Sequence, residues 1–425
     1  MQYDSVKVMN KFGLPKFFLF LIFALAASLH TRSFAAPITE DMFGLHIHTV
    51  AVGEPWPNVA FGYVRLWDTR TTWRDLEPQK GQWNFATLDR YVDEANKRGV
   101  KVLLTLGQTP QWAAVQPDAE SPYGPGASSA PRSLDDWQAY VETLARRYKG
   151  RVHAWEVWNE INVKHFWTGE PARMAELERS AAAVLKRIDP ASVVLSPSIQ
   201  GGAFRQLDAY FEAGGGRAAD VISHHFYAST ELPEALPERI RRVREIMARH
   251  GLAAKPLWNT EIGWLIQNGD GGYGRHQRPV WRSWYKPDPR EAAGFVARSY
   301  LLSLNGGIRH VFWYAWDNGA MGLAEARGRR PKPAARGYER LRAWLVGAEF
   351  GGCAREGGGV FSDPLWVCSL SRAGQPEWIV WSESERGFDP PRAWQVRHMQ
   401  GLLDAAAMPV SARMTIGPVP VRLVR

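Results

Sequence analysis

Cysteine is nearly absent from this 425-residue chain, Cys353 and Cys368 being its only two. That excludes a disulfide-built scaffold, and their spacing excludes a CxxC redox or zinc motif, leaving one local staple as the most they can form. Long apolar runs are scarce as well. The run from Phe17 to Leu29 falls short of the roughly 20 residues a membrane-spanning helix needs. Basic charge exceeds acidic, for a formal net charge of +9, but no block of five or six Lys and Arg occurs, so nucleic acid is not an expected partner. No Gly-rich phosphate turn follows the first strand candidate, which disfavours a dinucleotide-binding sheet, and no internal repeat is evident. What the chain does have is 45% hydrophobic residues, enough for a large core. It also has 20 tryptophans, many beside Gly, Asn, Asp or Glu. Such a set suits surfaces that stack apolar faces and hydrogen-bond polar edges.

Residues 1–35 read as an export signal. Lys7, Lys11 and Lys16 precede the apolar run, and Ser33-Phe34-Ala35 puts small residues at −3 and −1 of a cleavage site before Pro37. The expected location is periplasmic or secreted, with no stable membrane span after cleavage; an uncleaved anchor is the alternative. Export makes a Cys353–Cys368 disulfide reasonable.

Eight short runs rich in Val, Ile, Leu and aromatics alternate with helical patterns: Phe43 to Ile47, Gly62 to Trp67, Lys101 to Leu106, Val152 to Trp158, Ser192 to Ser196, Asp220 to Tyr227, Pro256 to Thr260 and Arg309 to Ala315. Helices are expected over Phe85 to Arg98, Ser133 to Tyr148 and Pro171 to Ile188, closed by Gly99, Gly150 and Asp189-Pro190. Eight such units imply an α/β fold, a (β/α)₈ TIM barrel over residues 36–345. Beyond it, residues 346–425 carry short apolar runs between Gly, Pro and Asp, the pattern of a small β-sandwich-like module. Trp366, Trp378, Trp381 and Trp394 alternate with apolar residues there, as core aromatics do.

Barrel chemistry sits where the strands end. The fourth run closes on Trp155-Glu156-Val157-Trp158-Asn159-Glu160 and the seventh on Trp258-Asn259-Thr260-Glu261-Ile262-Gly263-Trp264. Two carboxylates on nearly opposite strands can face one cleft with room for a sugar between them. Alternation along the fourth strand puts Glu156 on the side of Trp158 and Glu160, inside the barrel beside Arg65, as a structural group.

Trp158-Asn159-Glu160 with Thr260-Glu261 resembles the paired motifs of clan A glycoside hydrolases. The resemblance covers about residues 43–345 and is greatest to family 39 and its bacterial relatives that cut biofilm exopolysaccharide. It extends to Arg65, to His225-Phe226-Tyr227 and to Trp313-Tyr314-Ala315-Trp316-Asp317. It implies Glu160 as acid/base, Glu261 as nucleophile and Asn159 as a hydrogen-bond partner of the sugar 2-hydroxyl. Tyr227 or His225 would donate to Glu261, with Arg65 a second candidate. Trp316, or Trp313 in a shifted register, would floor the subsite. His48, with His46, either contacts sugar hydroxyls or packs the barrel floor.

The activity so implied is retaining glycoside hydrolysis, with no cofactor, no metal and a polysaccharide or oligosaccharide partner; a monomer is expected. The strand-end loops Gln108 to Arg132, with Trp112 and Tyr123, and Ile262 to Arg290, with Trp264, Tyr273, Trp281, Trp284 and Tyr285, are long and aromatic. They suggest several stacking positions and endo-cleavage. Two other functions compete. A metal-dependent amidohydrolase could use His46-Ile47-His48, but the fifth strand lacks the His it would need. A non-catalytic carbohydrate-binding barrel would not need both carboxylates.

Overall fold

The structure is a computed structural model that describes residues 36–50, 53–274, 279–326, 330–358, 363–410 and 413–425. The expected signal segment lies outside the described residues. The described residues pack as one compact unit.

Eight parallel strands form the barrel: β1 (Phe43–His46), β2 (Tyr63–Leu66), β3 (Lys101–Leu106), β4 (Ala154–Val157), β5 (Val193–Leu195), β6 (Ile222–His225), β7 (Leu257–Ile262) and β8 (Val311–Trp313). They are hydrogen-bonded in the order β5-β4-β3-β2-β1-β8-β7-β6. Single bridges from Leu195 to Val221 and from Gln200 to His225 close the ring. Nearly every strand residue is buried, because the interior fills one side and helices cover the other. Tyr63, Leu103, Ala154, Leu195, Val221, Trp258 and Phe312 form an apolar layer. Gly44 is required opposite it, since a Cβ there would lie 2.4 Å from the Phe312 ring.

The helices are α1 (Trp73–Leu76), α2 (Ala86–Lys97), α3 (Leu134–Arg147), α4 (Pro171–Ile188), α5 (Phe204–Glu212), α6 (Leu236–Arg249), α7 (Pro289–Asn305) and α8 (Pro333–Leu345). Their ends follow local chemistry. Ser133 accepts from the Asp135 and Asp136 amides ahead of α3, and Asp288 accepts from Arg290 and Glu291 ahead of α7. The expected helices match α2, α3 and α4 to within a residue or so at each end.

The C-terminal strands β9 (Glu349–Glu356), β10 (Leu365–Arg372), β11 (Gln375–Ser382), β13 (His398–Gly401), β14 (Met408–Pro409) and β16 (Val421–Val424) make one antiparallel sheet. β12 (Arg386–Phe388) and β15 (Met414–Ile416) make a separate two-stranded ribbon. Cys353 and Cys368 face each other across β9 and β10 and are bonded, with Cα atoms 3.9 Å apart. The expected boundary after residue 345 is a change of architecture rather than of packing. Trp366, Cys368, Leu370, Ile379 and Trp381 belong to the same buried cluster as the barrel helices, and Trp381 Nε1 donates to Glu234 at 2.8 Å. The ribbon covers Leu365, Val367, Trp378 and Val380 on the other face. Trp366 stacks on Trp381 and Trp378 on Trp394, so these rings pack rather than face solvent as a row.

Candidate active site

Above the apolar layer the barrel interior turns polar, and Glu156 is its anchor. Its Oε2 accepts from Arg65 Nε (2.8 Å) and Nη2 (2.5 Å) and from Thr105 Oγ1 (2.9 Å). Its Oε1 accepts from Ser223 (2.5 Å) and Thr260 (2.9 Å). Five donors from β2, β3, β6 and β7 thus satisfy one carboxylate that water never reaches, the condition under which a buried ion is tolerated. Glu156 and Arg65 are both fully buried. The expected position of Glu156 beside Arg65 is what the structure shows. Alternation fails one step later, however, because Trp158 leaves the strand at φ 81° and enters the outer core against Trp137 and Trp167.

Held this way, Arg65 presents its remaining donors upward. Nη1 bonds Glu261 Oε2 at 2.9 Å and Nη2 bonds Asn159 Oδ1 at 2.7 Å. Tyr227 donates to the other Glu261 oxygen at 2.8 Å. His225 Nδ1 lies 2.9 Å from Glu160 Oε1 but 3.9 Å from Glu261. The candidate donors are therefore divided: Tyr227 and Arg65 serve Glu261, and His225 serves Glu160. One ligating atom each of Glu160, His225 and Glu261 lie within 4.8 Å of one another. The two carboxyls are therefore close neighbours in one cleft. The same three side chains could ligate a cation, yet both Glu261 oxygens already have donors and a guanidinium occupies the neighbouring position.

The two carboxyls differ in electrostatics. Burial, then the charge of Glu261, pushes Glu160 well above the usual carboxylate range. Burial also lifts Glu261, to about 7, less far than Glu160 because Arg65 and the Tyr227 hydroxyl oppose the rise. The shared proton therefore sits on Glu160. Burial and the charge of Arg65 hold His225 and His46 far below the usual histidine range, so both are neutral.

Backbone strain gathers at the same end of the barrel. Asp68, Arg70, Gln108, Trp158 and Glu160 all have φ between 44° and 81°, in the left-handed region that non-glycine residues avoid, and all follow β2, β3 or β4.

Other expected members of the site lie elsewhere. Trp313 is fully buried, donates to Met321 O at 3.1 Å and stacks on Trp264; Trp316 is 1% exposed in the same core. Neither floors a subsite. The β8 aromatic that faces the cleft is Tyr314, whose ring packs on His46 and His48 and whose hydroxyl donates to Asp68 at 2.7 Å. Trp112 packs on Trp73 and donates to Glu77 O at 3.0 Å, away from both carboxylates. Of the pair His46 and His48, the first bonds Thr260 O at 3.0 Å inside the barrel. His48 sits at the rim, its amide donating to Asp317 at 2.9 Å. The long loops contribute differently from expectation too: Trp264 and Tyr285 are packed around Phe295, while Trp281, Trp284 and Tyr273 cluster with Tyr227 and Tyr314. Asp68, Tyr123 and Tyr314 form a group that sequence reasoning missed. Its one available signal was an acidic residue three positions after Arg65, just beyond a strand end.

Three comparisons agree with this geometry. The chain is 26% identical over 236 residues to a beta-xylosidase of Geobacillus stearothermophilus, covering 48% of this chain and 47% of that one. It spans about half or less of the curated relatives it matches. Its fold is similar to a family 39 glycoside hydrolase from Bacteroides cellulosilyticus (TM-score 0.66, 19% identity, 91% of this chain and 82% of that one). It is also similar to a beta-xylosidase from Caulobacter crescentus (TM-score 0.59, 17% identity, 92% and 97%). The model of glycosyl hydrolases family 39 matches residues 41–264, a span running from β1 through both carboxylate-bearing strands, and the chain belongs to that family.

Proposed function

We propose that this protein is a retaining glycoside hydrolase that cuts an exported polysaccharide, such as a biofilm matrix, at internal bonds through a covalent intermediate. The observation that carries the reading is the unequal treatment of two close carboxyls: Arg65 and Tyr227 bond Glu261 and favour its ionised form, while burial raises Glu160 further and favours its protonated form. Glu261 attacks the anomeric carbon while Glu160 gives its proton to the glycosidic oxygen. The bond to the leaving sugar breaks, and a glycosyl ester forms on Glu261. Glu160, now ionised, takes a proton from water. That water opens the ester and restores both groups. His225 Nδ1 shares a hydrogen bond with one Glu160 oxygen and leaves the other to face the leaving group. The Asn159 amide, oriented through its carbonyl by Arg65, is the donor toward the sugar 2-hydroxyl.

Endo-cleavage is supported by a succession of rings leading away from Glu261, from Tyr227 to Trp284 (6.5 Å) to Trp281 (6.3 Å). Trp284 and Trp281 keep part of their surface exposed, which suits them to stack on sugars. The Geobacillus relative is a beta-xylosidase, so β-linked pentose and hexose chains are the first substrates to offer. Export is supported by the Cys353–Cys368 bond, which an oxidising compartment preserves. Among the described residues no helix is long and apolar enough to cross a membrane.

The test pairs Glu160→Gln and Glu261→Gln with added azide on an activated β-glycoside. Rescue as a β-azide from the first and an α-azide from the second is expected; the reverse pattern would exchange the roles. Polymer viscosity that stays constant while monosaccharide is released would refute endo-cleavage.

A further inference from the structure

Asp68 stands at the end of β2, three residues beyond Arg65, in a left-handed conformation (φ 61°) that needs support from its surroundings. Two phenols supply it from opposite walls of the cleft. Tyr123, from the loop after β3, donates to Oδ1 at 2.5 Å, and Tyr314, from the end of β8, donates to Oδ2 at 2.7 Å. Tyr123 is itself held between Trp67 and Phe166. The carboxylate is thus aimed by parts of the barrel that have no other reason to meet.

Its electrostatic setting is unusual. The guanidinium of Arg65 is committed to Glu156, Glu261 and Asn159, and among the described residues no cation pairs with Asp68. The neighbouring histidines, His46 and His225, are neutral. One fixed positive charge therefore faces three carboxylates, Glu156, Glu261 and Asp68, while Glu160 carries its proton. Tyr314, which holds Asp68, clusters with Tyr227, which bonds Glu261, so Asp68 stands on the Glu261 side of the cleft, where its charge raises both Glu160 and Glu261. A carboxylate has about four acceptor positions, and two phenols fill only two of them.

We propose that Asp68 is a specificity-determining residue that accepts a hydrogen bond from a hydroxyl or ammonium of the sugar over Glu261 and excludes uronic acids from that position. The inference rests on Glu160 and Glu261 being the reacting pair. Among the described residues the guanidinium that bonds Glu261 is already committed to Glu156 and Asn159 as well, so a glycone carboxylate would add a further negative charge to a partly desolvated cleft, a penalty on the order of 100-fold in binding.

The experiment compares kcat/KM on 4-nitrophenyl β-D-xylopyranoside, β-D-glucopyranoside and β-D-glucuronide for the full chain, Asp68→Asn and Tyr123→Phe. The parent should disfavour the glucuronide against the glucoside by roughly 100-fold or more. Asp68→Asn should narrow that ratio by about tenfold or more, and Tyr123→Phe, which keeps the charge, should leave it within about threefold. Competitive inhibition of the unaltered protein by glucose and by glucuronate gives the same comparison without a variant, and glucuronate should be at least about tenfold weaker. Equal inhibition, or an Asp68→Asn effect equal on all three glycosides, overturns the assignment of Asp68 and leaves the reacting pair standing. Turnover of none of the three by any of the proteins, together with no new reducing ends from β-linked polysaccharide, overturns both.

Discussion

The barrel mouth and the C-terminal sheet use the same residue types to opposite ends. In the sheet, Trp366 lies flat on Trp381 and Trp378 on Trp394, and Glu377 pairs with Arg422 at 2.5 Å on a regular antiparallel ladder. At the mouth, carboxylates outnumber cations, five non-glycine residues adopt left-handed backbone, and His46 Nδ1, His225 Nε2 and Asn259 Nδ2 are buried without partners. Buried polar atoms left unpaired and strained φ angles both cost stability. Five of the seven left-handed non-glycine residues among the described ones follow β2, β3 or β4, and that concentration indicates what that end is for: the sheet is arranged for packing, the mouth for charge that appears during a reaction.

If that contrast holds, damage at the two places should separate activity from stability. The largest effect is expected from Glu261→Gln, with turnover reduced by a factor on the order of 10⁴ or more while the melting temperature is nearly unchanged. Trp381→Ala should do the reverse, lowering stability by about 3–5 kcal/mol in denaturant titration while molecules that remain folded keep their turnover. Next is Glu156→Ala, which leaves Arg65 buried with one carboxylate. A stability loss of about 3–5 kcal/mol and a fall in kcat should come together, because this group supports both the core and the site. A variant losing only one of these would show that the polar layer is divisible.

The pH dependence sharpens the comparison further. Glu160 binds its proton more tightly folded than unfolded, so its contribution to stability is complete below the ordinary carboxylate value of 4.5 and is lost as pH rises through the elevated folded value. Glu160→Gln should remove that slope and be at least as stable as the parent at pH 7, as measured by melts across pH 4 to 8. The smallest effect is expected from Trp112→Phe, with KM changed by less than about twofold, since its ring packs on Trp73 outside the cleft.

Arg65 and Glu156 were readable from strand position and alternation, and Glu160 and Glu261 from the short motifs Trp158-Asn159-Glu160 and Thr260-Glu261 at strand ends. Alternation is fixed by the backbone itself. It stopped being a guide where the strands became irregular. The pairing of β6 with β7 shifts after His224, and that of β7 with β8 shifts between Asn259 and Ile262. Beyond such shifts no count along the chain says whether Trp313, Tyr314 or Trp316 faces the cleft. Tyr314 does.

The sequence by itself determined the eightfold βα order, the helix ends, the cysteine pair and the two carboxylate-bearing strands, since these follow from periodicity, capping and short spacing along one chain. Only the tertiary structure decided which donor serves which carboxylate and that Asp68 is gripped by Tyr123 and Tyr314. Those contacts join residues 34 to 246 positions apart. Their geometry depends on barrel closure and loop packing, which local patterns do not encode.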